Sequence, residues 1–434
     1  MEIIEYPEVK DWNKIAVRPQ IDLTSLYSTV NSVLEDIKAN GDSAVREYEQ
    51  KFDHVELQDL RVSDEEIAEA IKDVDAELLS AIRLAHDNIY KFHEAQRFQG
   101  VHVETQPGIE CWQKSIAIEK VGLYIPGGTA PLFSTVLMLA TPARIAGCKE
   151  IVLCTPPGKD GKVNNAILAA ASIAGVTQIY KIGGVQAIGA MAYGTETVPK
   201  VYKIFGPGNQ YVMAAKQAVS LHDAAIDMPA GPSEVCVIAD ETANATFIAA
   251  DLLSQAEHGT DSQALLITTS KEILTNVSKE LQNQLATLPR KDFAAKSLAN
   301  SKAVLVHDLD ECMRLSNVYA PEHLIIATGN CRKLAEKVVN AGSVFLGNYA
   351  CESAGDYASG TNHTLPTHGY ATAYNGVNLD SFCRKITFQE ISHDGIRSIG
   401  RAVETMAENE SLIAHKRAMT YRIDSLKQLT ENTD

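Results

Sequence analysis

Apolar positions recur at helical spacing through the first hundred residues and then give way to short β-branched runs. Residues 63–72 and 77–92 place apolar side chains three and four apart, which predicts two amphipathic helices. Ser63 followed by Glu66 predicts a capping box at the start of the first. Strands are predicted at 150–155, 178–182, 234–239, 263–268, 302–306, 323–327 and 342–346, with Ala-rich helical segments such as 164–175 between them. Strand–helix alternation with nearly continuous apolar strands implies parallel sheets covered on both faces. The length fits two such sheets better than one. Residues 348–378, rich in Gly, Ser, Thr, Asn and Tyr, read as a long irregular stretch of the kind that carries function. The tail from Ser411 onward is a polar helix with a thin apolar face, which needs another surface to lean on.

One helix brings chemistry with it. In 244–258 the residues Ala245, Ile248, Ala249, Leu252, Leu253 and Ala256 form an apolar stripe, so Gln255 and His258 are expected to project together from the last turn, with Gly259 as the stop. A neutral oxygen donor beside an imidazole suits a divalent metal of borderline character. Glu322 and His323 follow Pro321 at a strand entrance. Strand neighbours face opposite ways, so both serve one site only if that entrance is irregular. Asp356 and His363 fall in the irregular stretch and His415 on the tail helix, at spacings that do not force them together. Gly-rich turns at 125–129, 182–186 and 205–209 would let backbone amides approach a pyrophosphate, although none is a complete dinucleotide or phosphate-loop motif.

Composition narrows the class. Against 39 Lys and Arg stand 55 Asp and Glu, a formal charge of −16. That balance argues against nucleic acid or an anionic membrane as partner. No basic-then-apolar leader and no membrane-length apolar run is visible, and the eight cysteines lack any Cys-x-x-Cys pair, so a reduced cytoplasmic protein is expected. On the residues alone, the chain reads as a soluble α/β enzyme using a metal or a nucleotide.

The run Ile-Asp-Met-Pro-Ala-Gly-Pro-Ser-Glu at 226–234, followed by Asp-Leu-Leu-Ser-Gln-Ala-Glu-His at 251–258, closely resembles the signature of the histidinol dehydrogenase family. Residues 121–129, 203–209, 319–323 and 355–363 resemble it too, and the likeness spans essentially the whole chain. Cys236, where an aliphatic residue is more usual, is a departure that touches packing alone. The resemblance implies NAD-dependent oxidation of L-histidinol to L-histidine through bound L-histidinal, with one zinc ion per subunit orienting the substrate. By position, Gln255, His258, Asp356 and His415 match the zinc ligands and Glu322 and His323 the acid/base pair. Ser233, His363 and Glu410 match substrate contacts, beside the ligands and Glu322, and Tyr124, Gln186 and Asn209 match positions near the dinucleotide. The family's homodimer implies that the tail crosses to the partner, so that His415, His363 and Glu410 complete the other subunit's site. Two Rossmann-like parallel-sheet domains with helical N-terminal and C-terminal extensions are expected. Residues 1–22 form the N-terminal extension, 23–122 with 233–376 the metal-bearing domain, 123–232 the dinucleotide domain and 377–434 the tail. Two rival readings, a zinc hydrolase with Glu322 as base and a non-catalytic metabolite-binding protein, would both form no NADH.

Overall fold

The apolar runs become the inner strands of two parallel sheets. In the computed structural model, which describes residues 1–18, 24–127, 131–229 and 231–431, one sheet has six strands. Their order is Glu2–Glu5, Lys302–Leu305, Gln263–Thr268, Glu234–Ala239, His323–Ala327 and Ser343–Leu346. The other has five, ordered Gln178–Lys181, Glu150–Thr155, Lys120–Tyr124, Lys203–Phe205 and Ala225–Ile226. In the second sheet the chain steps outward from Lys120–Tyr124 through two neighbours and then returns to its other side. That is a doubly wound sheet, with its switch point between Lys120–Tyr124 and Lys203–Phe205.

The strands Glu234–Ala239, Gln263–Thr268 and His323–Ala327 are buried along their whole lengths, as strands between two helical layers must be. Alternate residues feed two cores. Val235 and Val237 pack with the helices Ala245–Ala256 and Lys271–Leu285, whereas Cys236 and Ile238 join Cys312, Leu315 and Tyr319. Cys236 is fully buried and its thiol is pushed up to about 12, so it packs and stays protonated.

The capping box forms: the Ser63 hydroxyl accepts from the Glu66 N–H and the Glu66 carboxylate from the Ser63 N–H. The helices Thr24–Tyr48 and Ala76–Glu94, however, belong with the five-stranded sheet. Val30, Leu34 and Ile37 share a core with Tyr180, Ile188 and Val212, and Ile82 and Ile89 share one with Leu123 and Val136. Grouping 23–122 with the six-stranded sheet therefore does not match the packing. The N-terminal extension also contributes the edge strand Glu2–Glu5, which is paired with Lys302–Leu305.

Two compact units divide the chain: Met1–Gln96 with Ile118–Phe382, and Arg97–Ala117 with the chain from Cys383 on. The second unit is a three-stranded antiparallel sheet, Cys383–Ile391 beside Ile109–Ala117 beside Val101–Gln106, with the helices His393–Asn409 and Ile413–Glu431. The tail is thus not wholly helical. Its first nine residues from Cys383 pair along Ile109–Ala117, where Phe388 stacks on Trp112 at 5.5 Å. No described helix is long and apolar enough to cross a membrane.

A buried ion pair clamps the turn after Lys203–Phe205. Lys216 Nζ lies 2.5 Å from Asp227 Oδ1 and donates to the Gly206 carbonyl at 2.7 Å, while Asp227 Oδ2 accepts from the Gly206 N–H at 2.8 Å. Gly206, at φ +126°, has no room for a Cβ, which would meet the Tyr124 carbonyl oxygen at 2.0 Å. Removing one partner of such a pair strands a buried charge, so Asp227→Ala is expected to lower unfolding stability by about 3–5 kcal/mol in urea titration. A loss under about 1 kcal/mol would mean that water reaches the pair.

Candidate active site

The six-stranded sheet places its chemistry at the N-terminal ends of its strands. The helix Ala245–Ala256 runs back from the end of Glu234–Ala239, so its last turn returns to the edge where Ser233 and Glu234 begin that strand. Asn244 caps its start, accepting from the N–H groups of Thr246 and Phe247. The helix ends at Ala256, earlier than the expected stop at Gly259. His258 lies beyond it, its N–H reaching the Gln255 carbonyl at 3.3 Å, so a tightened turn at the helix end presents the two side chains.

The neighbouring strand starts irregularly, as one shared site for Glu322 and His323 requires. Ala320 ends the helix Leu309–Tyr319 in the left-handed region (φ +50°), Pro321 follows, and Glu322 precedes the strand His323–Ala327. Glu322 Oε2 accepts from the Glu234 N–H at 2.9 Å and lies 3.8 Å from His323 Nδ1. His323 Nε2 lies 3.4 Å from Asp356 Oδ1. Asp356 comes from a short helix, Glu352–Tyr357, inside the stretch read as irregular. Glu352 and Asp356 stand one turn apart on that helix, and His258, Glu352 and Asp356 bring ligand atoms within 4.8 Å of one another. Glu352 is the residue the sequence reading missed.

Gln255, fully buried, touches both sides of this cluster. Its amide reaches the Glu352 carboxylate at 2.5 and 3.1 Å and the Glu234 N–H at 3.0 Å. Hydrogen bonding alone demands the nitrogen toward Glu352 and the oxygen toward Glu234. The reverse orientation sets oxygen against oxygen, which a shared cation would stabilise. Neither ring nitrogen of His323 nor Asp356 Oδ1 has a hydrogen-bond partner among the described residues. Orphaned buried polar atoms beside imidazole and carboxylate donors fit a divalent cation of the zinc type.

Electrostatics point the same way. Burial pushes Glu322 up to about 8, against the pull of His323 and the Glu234 N–H, and burial raises Glu352 as well. Burial alone would hold His323 neutral, but Glu352, Glu322 and Asp356 outweigh it and raise its pKa to about 10. Burial also acts to raise Asp356, yet the contact with His323, with further help from His363 and His258, holds it below the usual range. His258 is exposed on one side, and the protein around it still desolvates the ring enough to lower its pKa.

The remaining residues fall in three places. His363 stands in this chain's own cluster and is not set apart for another subunit's: Nδ1 meets the Asp356 carbonyl at 2.9 Å and Nε2 the Thr135 hydroxyl at 3.0 Å. His415 and Glu410 lie in the second unit, both exposed, His415 on the helix Ile413–Glu431 and Glu410 at the end of His393–Asn409. Tyr124, Gln186 and Asn209 line one cavity of about 1260 Å³ at the C-terminal ends of the five-stranded sheet. The Tyr124 hydroxyl accepts from the Gly184 N–H at 3.2 Å, and Asn209 caps the helix Gln210–Ser220. Of the turn at 125–129, Gly128 and Thr129 lie outside the described residues, whereas Gly127 lines the cavity.

With Glu322 and His323 both raised, the cluster retains protons at neutral pH that a bound cation would expel. Zinc binding should therefore tighten as pH rises from about 6 to 8, by about tenfold per pH unit for each proton released. Calorimetry in buffers of different protonation heats would measure that release. Affinity independent of pH would mean that no proton leaves the cluster.

Comparison with known proteins points to one family. A family model described as histidinol dehydrogenase matches residues 16–423. Histidinol dehydrogenase of Bacteroides fragilis (strain ATCC 25285) is 63% identical over 428 residues, covering 99% of this chain and 100% of that protein. That of Escherichia coli (strain K12) is 50% identical over 436 residues, covering 98% and 100%. The crystal structure of histidinol dehydrogenase from Elizabethkingia anophelis superposes with a TM-score of 0.96 at 53% identity, covering 98% of this chain and 99% of that one.

Proposed function

The chain belongs to the histidinol dehydrogenase family, and from that premise we propose that it oxidises L-histidinol to L-histidine, with NAD as oxidant, in the cytoplasm. The observation that carries this reading is the meeting of Glu322 and His323 with Gln255, His258 and Asp356 at one sheet edge. A zinc ion bound there would hold the substrate's imidazole and amine, and bound NAD would accept hydride. Gln255, His258 and Asp356 would hold the metal with the partner subunit's His415, and Glu352 would fix the Gln255 amide. Ser233 and His363, with the partner subunit's Glu410, would contact the substrate. Tyr124, Gln186 and Asn209 would face the dinucleotide.

His323 is the base for the substrate hydroxyl as the alcohol carbon loses hydride. Its pKa of about 10 belongs to the cluster crowded with carboxylates. A cation beside Glu352 and Asp356 would offset their pull and bring the imidazole back toward the range a base needs. Glu322 then activates water for addition to the aldehyde, giving the hydrate that loses the second hydride. Holding the aldehyde in a covered site limits its escape. Wild type is expected to form two NADH per L-histidinol, lost on chelation and restored by zinc, whereas Glu322→Gln should stop after the first. Absorbance at the NADH band with product analysis measures both. No NADH would return the chain to a hydrolase or a binding protein.

The same reading makes the protein a homodimer with shared sites. A His258→Ala subunit and a His415→Ala subunit are each expected to be inactive, yet their heterodimer would hold one intact site. Statistical subunit exchange should then restore about a quarter of wild-type activity, as two-fold symmetry requires. No recovery in a mixture shown by mass spectrometry to contain heterodimers would place both residues in a single subunit's site.

A further inference from the structure

At the cavity proposed for the cofactor stands an acid, Asp53, backed by a buried second one, Glu49, that the oxidation chemistry does not use. Where the helix Thr24–Tyr48 ends, the backbone widens into one π turn, Glu49–Asp53, a feature concentrated at functional sites. Glu49 is fully buried beside the Gly183–Gly184 turn that follows the strand Gln178–Lys181. Its Oε1 accepts from the Gly183 N–H at 2.9 Å and from the Gln186 amide at 2.8 Å, while its Oε2 has no hydrogen-bond partner among the described residues. The same Gln186 nitrogen donates to Asp53 Oδ2 at 3.2 Å. The Gln186 oxygen is unpartnered among the described residues although the side chain is 1% exposed. Asp53 is half-buried and lines the cavity with Tyr124 and Gln186. It also lies close to the sheet's end: a Cβ on Gly183 would come within 3.2 Å of Asp53 and 2.8 Å of Pro156.

In doubly wound nucleotide sites a carboxylate near the second strand commonly meets the adenosine ribose hydroxyls. Here the strand after Lys120–Tyr124 is Glu150–Thr155, which runs into Pro156, Pro157 and Gly158; the first acid beyond it, Asp160, lines the cavity but caps its own loop, accepting from the Lys162 N–H at 3.1 Å. Asp53 reaches the same corner, between Pro156 and Gly183, from outside the sheet. Resting on the reading of this cavity as the NAD site, we infer that Asp53, held in place by Gln186 and Glu49, accepts hydrogen bonds from the adenosine ribose diol and excludes a 2′-phosphate, so that it selects NAD over NADP. A vicinal diol supplies two donors to an acceptor-only carboxylate. A phosphate monoester brings up to two negative charges against it and no compensating donor. Lys159 and Lys162, on the loop beyond the two prolines, are the cations that line the cavity among the described residues and offer an alternative seat for that phosphate.

The test uses the full-length protein and reads binding apart from turnover. Calorimetry with AMP and with adenosine 2′,5′-bisphosphate would be paired with the NAD/NADP ratio of kcat/KM. Wild type is expected to favour the unphosphorylated ligands by about a hundredfold, and Asp53→Asn to lose about tenfold of that preference. Asp53→Ser, checked with Asp53→Asn by circular dichroism and thermal melting, keeps the test open if either variant fails to fold. A purely structural role would weaken both nucleotides equally and leave the ratio fixed, which overturns the inference while the NAD reading stands. Equal wild-type affinity for AMP and the bisphosphate overturns it in favour of Lys159 and Lys162. A wild type that forms no NADH and binds neither AMP nor NAD overturns the reading of the cavity itself.

Discussion

Too much negative charge in too little water is the constraint on which the site depends. Glu322 and Glu352 are buried, Asp356 is half-buried, and Asp251, one turn before Gln255 on the same helix, is pushed up to about 7 by burial. Carboxylates gathered in a protein interior persist only if protons, cationic side chains or a metal ion neutralise them. The raised pKa values of Glu322 and His323 show the first two at work: both shifts favour the forms that reduce the net negative charge. A divalent cation would do the same work with one centre. His323 stands at the centre of that charge, with Nδ1 3.8 Å from Glu322 and Nε2 3.4 Å from Asp356.

The topology keeps this charge apart from the large cavity of the five-stranded sheet. The acid cluster lies at the N-terminal ends of strands in the six-stranded sheet, where a returning helix delivers Gln255 and His258. The cavity with Tyr124, Gln186 and Asn209 lies at the C-terminal ends of the five-stranded sheet, beside its switch point. Only the second follows the usual placement of ligands on open parallel sheets. The first exists because the left-handed Ala320 and Pro321 bend the strand entrance and leave a Glu and a His side by side. Gly342 permits it: a Cβ there would meet the Glu322 carbonyl at 2.6 Å.

What was legible in the sequence follows from how local each signal is. The buried strands and the Ser63 capping box depend on neighbours within a few positions, and they appear where the pattern puts them. The helix carrying Gln255 was legible by its stripe, but its end was not, because the tightened turn at His258 is a backbone detail with no residue signature. Glu352 was hidden by composition: six residues of helix in a Gly- and Ser-rich stretch leave no periodicity to detect. The antiparallel sheet escaped for the opposite reason. Val101–Gln106 is exposed throughout, so its side chains record no core, and its neighbours come together from residues some 270 positions apart. Glu49 and Asp53 could not be read at all, since only the fold brings them to Gln186.

The contact between Thr135 and His363 joins the two halves of the first unit at the acid cluster. Pro131 lines the cavity at the five-stranded sheet, and Thr135, four residues on, meets His363 of the acid cluster. The Asp356 carbonyl can only accept, so His363 Nδ1 carries the proton and Nε2 accepts from the Thr135 hydroxyl. Burial lowers the pKa of this ring, against the pull of Asp356, and so favours that neutral tautomer. The consequence is specific. His323 and His363 lie near the same carboxylate residue, but one is drawn toward the cationic form and the other is held neutral by its two hydrogen bonds. A proton can therefore enter or leave around His323 without requiring His363 to change charge, and the link between Thr135 and His363 does not depend on the charge of His323.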